Sequence, residues 1–299
     1  MSSAIKTEQL SKKFWTVKAL REISLDVPQG AIYALVGPNG AGKTTAIKVL
    51  MNILAPSGGQ AEVLGIDSSR LRGDFFTQIG YVSENQEIPE WMRVGQFFDY
   101  LRPFYPNWDR ELENALLQQM ELPRDRKLKH LSRGMKMKAA LASSLAYRPK
   151  LIVLDEPFTG LDPLVRDQLI EGLLERASEA TILISSHDLA EIESFSSHVG
   201  YLEQGRLKFS EEMSSLASRF REVVVTLAQA TAVPAKTPES WLQPAAAGAT
   251  FQFIESRFDQ ERTSAAIQQA FGPVRDVTYA PMTLRAIFLA MAKSSRASA

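Results

Sequence analysis

The sequence predicts an α/β protein whose mainly parallel sheet is flanked by helices, followed by a small α+β appendage. Short apolar runs such as "YALVG", "LIVLDEP" and "ATILISSHD" alternate with helix-like stretches, the pattern of buried parallel strands. Two of these runs end in acidic or polar residues, and the first ends in a glycine-rich loop, where ligands bind in open α/β sheets. Near residue 215 the texture changes to "EVVVTL" and "ATFQFIES", two strands separated by an Ala/Pro-rich loop.

Taken in order, "ISLDVPQGAIYALVG" reads as strand, turn at Pro28 and Gly30, then a buried strand. The helix "TTAIKVLMNIL" follows a glycine-rich loop. Residues 88 to 148 carry helical periodicity and many aromatic rings, including Trp91, Phe97, Phe98, Tyr100, Phe104, Tyr105 and Trp108, most of them expected in the core. Domain boundaries are read at 1–215 and 216–299. In the second part, "ATAVPAKTPESWLQPAAAGAT" reads as loop, and "QERTSAAIQQAFG" and "TLRAIFLAMAK" read as helices.

Composition narrows the function. The chain has 299 residues, 45% hydrophobic and 23% charged, with 34 basic and 34 acidic residues. A formal charge of zero gives no sign of a globally basic nucleic-acid binder. The absence of cysteine removes disulfides and thiolate metal sites, and three histidines make a His-rich metal site unexpected. No apolar run approaches the roughly 18 residues that span a bilayer. "MSSAIKTEQLSKKF" lacks an apolar signal core, so the chain is expected in the cytoplasm, reaching a membrane only by docking.

The chemistry starts at "GPNGAGKT", a complete P-loop between a strand and a helix. Gly37, Gly40 and Gly42, with Pro38, Asn39 and Ala41 between them, let successive N–H groups form an anion nest. Lys43 reaches terminal phosphates, the Thr44 hydroxyl binds Mg²⁺, and Thr45 adds a phosphate contact. In "LIVLDEP", Asp155 emerges at the strand end to hold Mg²⁺, and Glu156 beside it polarises water as general base.

"LSRGM" (Leu131 to Met135) leaves two readings open: a helix start capped by Ser132, or a phosphate site built from Ser132 and Gly134. The order P-loop, "LSRGM", "LIVLDEP", "GLDP", "SSH" resembles ABC-type ATPases, the nucleotide-binding subunits of ABC transporters, over residues 3 to 215. The resemblance implies a P-loop NTPase core with an antiparallel β edge and a helical subdomain at about 88–148. It implies ATP and Mg²⁺ as ligands, ATP hydrolysis, pairing of two ATPase subunits as homodimer or heterodimer, and a membrane-spanning permease as partner.

By the same resemblance Phe14 stacks on adenine, with Trp15 as neighbour. Ser132 and Gly134 read the ATP of the other subunit, Asp162 sits at the dimer seam, and His187 contacts the γ-phosphate. Asp162 also suits a helix cap, ahead of Pro163 at the first helical position. Arg133 stands where the family usually has glycine, and Met135 where it has glutamine. Glu84 stands where the family has a metal-contacting glutamine, and it is assigned as a metal contact; Gln86 lies two residues on. "LSRGMKMK", "FYPNWD" and "APMTLRAIFLAMAK" resemble bacterial ABC-2-type drug or peptide exporters. The alternative, a soluble ABC ATPase acting on nucleic acid or the ribosome, usually carries two cores or a long coiled coil. This chain has one core and no heptad run, and no nucleic-acid partner is expected.

Overall fold

A computed structural model describes residues 2–176, 179–234 and 236–297. The chain divides into two compact units, residues 1–210 and 211–299.

The first unit holds two sheets. β1 (Ser3–Phe14), β2 (Val17–Ile23), β3 (Asp26–Pro28), β5 (Gly58–Val63) and β6 (Ile66–Asp67) form an antiparallel sheet ordered β2-β1-β5-β6, with β3 paired to β1. The second sheet contains β4 (Ile32–Val36), β7 (Ile79–Ser83), β8 (Leu151–Asp155), β9 (Thr181–Ser186), β10 (His198–Glu203) and β11 (Arg206–Glu212), ordered β11-β10-β4-β9-β8-β7. Its inner pairs are parallel. β4, β8 and β9 are buried at every position, as their unbroken apolar runs require.

α1 (Lys43–Leu50) leaves β4 through the glycine loop and stops at Leu50, earlier than the apolar stretch suggests. Its Ile47, Val49 and Leu50 join Tyr33, Leu35, Val153 and Leu183 in one core. The helical segment comprises α2 (Val94–Leu101), α3 (Arg110–Gln119) and α4 (Arg133–Leu145). Glu113, almost fully buried, ties it together by accepting from Arg102, Trp108 and Arg124 at 2.9, 2.8 and 2.5 Å. The aromatic cluster is less buried than its hydrophobicity suggests. Phe97 and Phe98 are core, and Tyr105 stacks on Tyr147 at 3.9 Å, but Trp91, Tyr100 and Phe104 are exposed. α5 (Pro163–Leu174) follows β8.

The second unit is a four-stranded antiparallel sheet ordered β13-β14-β12-β15, from β12 (Arg221–Thr226), β13 (Trp241–Ala247), β14 (Thr250–Glu255) and β15 (Asp276–Pro281). It also carries helices α6 (Met213–Arg219), α7 (Gln260–Phe271) and α8 (Leu284–Ala297). The stretch read as an Ala/Pro-rich loop therefore contains a strand, and its Ala235 lies outside the described residues. β13 tolerates Pro244 because the pairing register breaks between Leu242 and Ala245, with Gln243 at φ 52°. Pairing with β14 overrides weak local propensity.

Candidate functional site

The P-loop turns through Gly40 at φ 79° and Gly42 at φ 110°, backbone that L side chains rarely adopt. Gly37 is glycine for a different reason: a Cβ there would lie 2.0 Å from the Leu202 carbonyl oxygen. This loop and the first turn of α1 line a cavity of about 520 Å³. Asn39, Gly40, Ala41, Gly42, Lys43, Thr44 and Thr45 contribute from one side; Glu84, Glu156, Thr159 and His187 from the other.

The side chains of the site are joined. Lys43 Nζ donates to the Gly37 carbonyl at 2.6 Å, more weakly to that of Pro38 at 3.4 Å, and pairs with Glu156 Oε1 at 3.0 Å. Both ends of that ion pair are more than nine-tenths buried. Glu156 Oε2 is 2.7 Å from His187 Nδ1 and accepts from the Thr159 hydroxyl at 3.1 Å. Burial pushes the Glu156 carboxyl up, but the hydrogen bonds from His187 and Lys43, with their charges, hold it below the usual carboxylate range. It is therefore ionised at neutral pH. Its backbone sits at φ 53°, a strained setting for a glutamate, and its N–H donates to Ser185 Oγ at 3.0 Å.

The second carboxylate has different partners. Asp155 Oδ1 accepts from Thr44 at 3.1 Å and from Ser185 at 2.7 Å. Thr44 and Asp155 thus present hard oxygens side by side, the donor type that Mg²⁺ takes. Among the described residues no cluster of three or more His, Cys, Asp and Glu could hold an ion. The pair fits Mg²⁺ all the same, because that ion keeps water and substrate phosphate in most positions.

Sequence reasoning missed Thr159 and Ser185, which hold the two carboxylates. The signal for Ser185 was a polar residue ending an apolar strand; Thr159 carried none. The remaining assigned residues lie apart. Phe14 and Trp15 do not line the cavity: Lys12 Nζ lies over the Phe14 ring at 4.9 Å, and Trp15 is 95% exposed on the turn between β1 and β2. Val17, Lys18 and Arg21 line the cavity on that side instead. Gln86 turns back to accept from the Ser83 N–H at 3.1 Å.

Ser132, Gly134 and Asp162 also lie outside the cavity lining. Ser132 caps α4 by accepting from the Met135 N–H at 3.2 Å. Gly134 is buried, and a Cβ there would come 2.9 Å from Val165 Cγ1. Asp162 occupies the cap position of α5 with Pro163 at the first turn, but its side chain makes no capping bond. Arg133, at the start of α4, reaches Glu84 at 3.5 Å and lies against Gly160, whose added Cβ would be 3.0 Å from Arg133 Nη1. Two of the three departures from the usual motifs, Arg133 and Glu84, therefore meet in space.

Residues 20–159 match the profile of the ABC transporter family. The chain is 30% identical over 221 residues to the ABC transporter ATP-binding protein YtrB of Bacillus subtilis, covering 73% of this chain and 75% of that protein. It is 31% identical over 226 residues to the bacitracin transport ATP-binding protein BcrA of Bacillus licheniformis, covering 74% of each. A solved structure of the ATP binding subunit of an ABC transporter superposes with a TM-score of 0.67 at 27% identity, covering 72% of this chain and 92% of that one.

Proposed function

The chain belongs to the ABC transporter ATP-binding proteins, and on that premise we propose that it is the ATP-hydrolysing subunit of a bacterial exporter, acting with a separate membrane-spanning subunit. ATP hydrolysis is the activity of the family. The exporter reading is supported by the likeness to the bacitracin transport protein. Among the described residues no helix is long and apolar enough to cross a membrane.

The observation that carries the chemistry is Glu156, held by Lys43 and His187 at the floor of the P-loop cavity. The glycine loop offers backbone N–H groups and the α1 N-terminus to the phosphates. A terminal phosphate competes with Glu156 for the Lys43 ammonium, and that exchange frees Oε1 to take the proton of an attacking water. His187 and Thr159 keep Oε2 in place meanwhile. Thr44 and Asp155 are the residues that would hold Mg²⁺, whose charge offsets that of the phosphates. Glu84, which lines the same cavity, is a further oxygen donor facing it.

Two copies, or this chain and a relative, would close over ATP. Ser132 and Asp162 are exposed, which leaves them free for the roles toward the other copy's nucleotide and seam that this reading gives them. The test is the mass in solution of Glu156→Gln with and without Mg-ATP. A monomer that becomes a dimer, and reverts when Ser132→Arg is added, is expected. A variant that binds ATP tightly yet stays monomeric rejects the homodimer.

A further inference from the structure

The second unit contains a cavity of its own, of about 310 Å³, at one end of the interface between α7 and the sheet. Its chemistry departs from the packing rule around it. On β14 the buried face alternates as Phe251, Phe253, Glu255. Period two calls for an apolar residue at the third place, yet a carboxylate stands there, 3% exposed. Glu255 has no cationic partner among the described residues. It accepts only from the Arg257 N–H at 2.8 Å and the Ser240 hydroxyl at 3.2 Å. A buried carboxylate without a countercharge is expensive to keep.

The neighbouring groups share this incompleteness. Trp241 lies directly opposite Glu255 in the β13–β14 register, is 4% exposed and lines the cavity. Its indole N–H donates to none of the described residues and is not among the fully buried atoms left without a partner, so it stays open toward the cavity. Thr263, on the first turn of α7 and 3% exposed, lines the cavity with a hydroxyl that has no hydrogen-bond partner among the described residues. Farther along the same helix, Ile267 packs into an ordinary apolar core. The polar end is thus a local exception, and it coincides with the unfilled volume. Three exposed charged residues also line it, Arg257, Arg262 and Glu239, two guanidiniums against one carboxylate.

We propose that this cavity binds a small zwitterion of the free α-amino-acid class, its ammonium group held by Glu255 and its carboxylate by Arg257 and Arg262. The interior carboxylate selects a cation, and the outer guanidiniums select an anion in bidentate geometry. The volume lies at the lower end of that for small-molecule sites. Trp241 and Thr263 supply one donor and one hydroxyl to fix orientation.

The test uses the full chain and the proteinogenic amino acids, one at a time, by titration calorimetry with thermal unfolding as a second readout. At least one amino acid is expected to give saturable binding and raise the unfolding temperature, and its analogue without the amino group is not. Glu255→Gln should weaken that binding by at least about tenfold, and Arg262→Ala by a similar factor. Arg262 is an exposed side chain, so its variant keeps the test decisive if Glu255→Gln does not fold. The proposal is overturned if no amino acid binds, or if the one that binds keeps its affinity in Arg262→Ala or in folded Glu255→Gln.

Discussion

The end of β8 and the start of α4 carry the two motifs that mattered most in the sequence, and they are built in opposite ways. At β8, Asp155 and Glu156 are buried, and Asp155 Oδ1 and both Glu156 carboxylate oxygens have a partner drawn from a distant part of the chain. At α4, Ser132 and Arg133 are exposed, and the Ser132 hydroxyl does only the local work of a helix cap. The first region is a finished half-site. The second has its polar groups turned outward and nothing within its own chain that uses them for chemistry. Under the proposed function, the difference is that between a reaction centre assembled by one chain and a reader that needs another.

The strongest way to break this contrast is at Glu156. Glu156→Gln removes the proposed base and keeps the shape, and should slow phosphate release by about 10²–10⁴-fold while leaving ATP binding intact. Turnover close to that of the parent chain would mean that the buried lattice is structural and the general base lies elsewhere.

A smaller effect separates packing from chemistry at α4. Gly134→Ala gains about 1 kcal/mol of helix propensity, but its Cβ meets the stiff Val165 side chain at 2.9 Å. Overpacking of this kind costs about 1–3 kcal/mol, so a net loss of about 1 kcal/mol is expected in urea unfolding. A gain in stability would show that α4 and α5 are not held at their close approach.

The smallest effect concerns the pair that joins the start of α4 to the cavity lining. Arg133 and Glu84 are 52% and 37% exposed at 3.5 Å, so solvent screens their attraction. A double-mutant cycle with Arg133→Gly and Glu84→Gln should give a coupling of about 0.5 kcal/mol or less in the free chain. A coupling several times larger would make the pair a structural tie rather than a loose contact.

Much of the site was legible because its chemistry is local. A P-loop needs two glycines, a lysine and a hydroxyl at fixed spacing, and "GPNGAGKT" has them in eight residues. Asp155 and Glu156 were legible for the same reason, as acids ending an unbroken apolar run. The groups that hold them were not. Ser185 and Thr159 are ordinary residue types, and their roles follow from which strands lie side by side and how the next loop folds back.

The sequence by itself determined the parallel-sheet core, the phosphate loop and the acidic pair that ends β8, because each rests on short-range pattern and backbone sterics. Tertiary structure alone decided four other things. It brought Lys43 and His187 onto one carboxylate, and it placed Glu84 beside Arg133. It drew β13 out of a stretch that reads as loop. It put Glu255 in an apolar row beside an unfilled cavity. Each of these depends on strand pairing or side-chain packing, which no local propensity encodes.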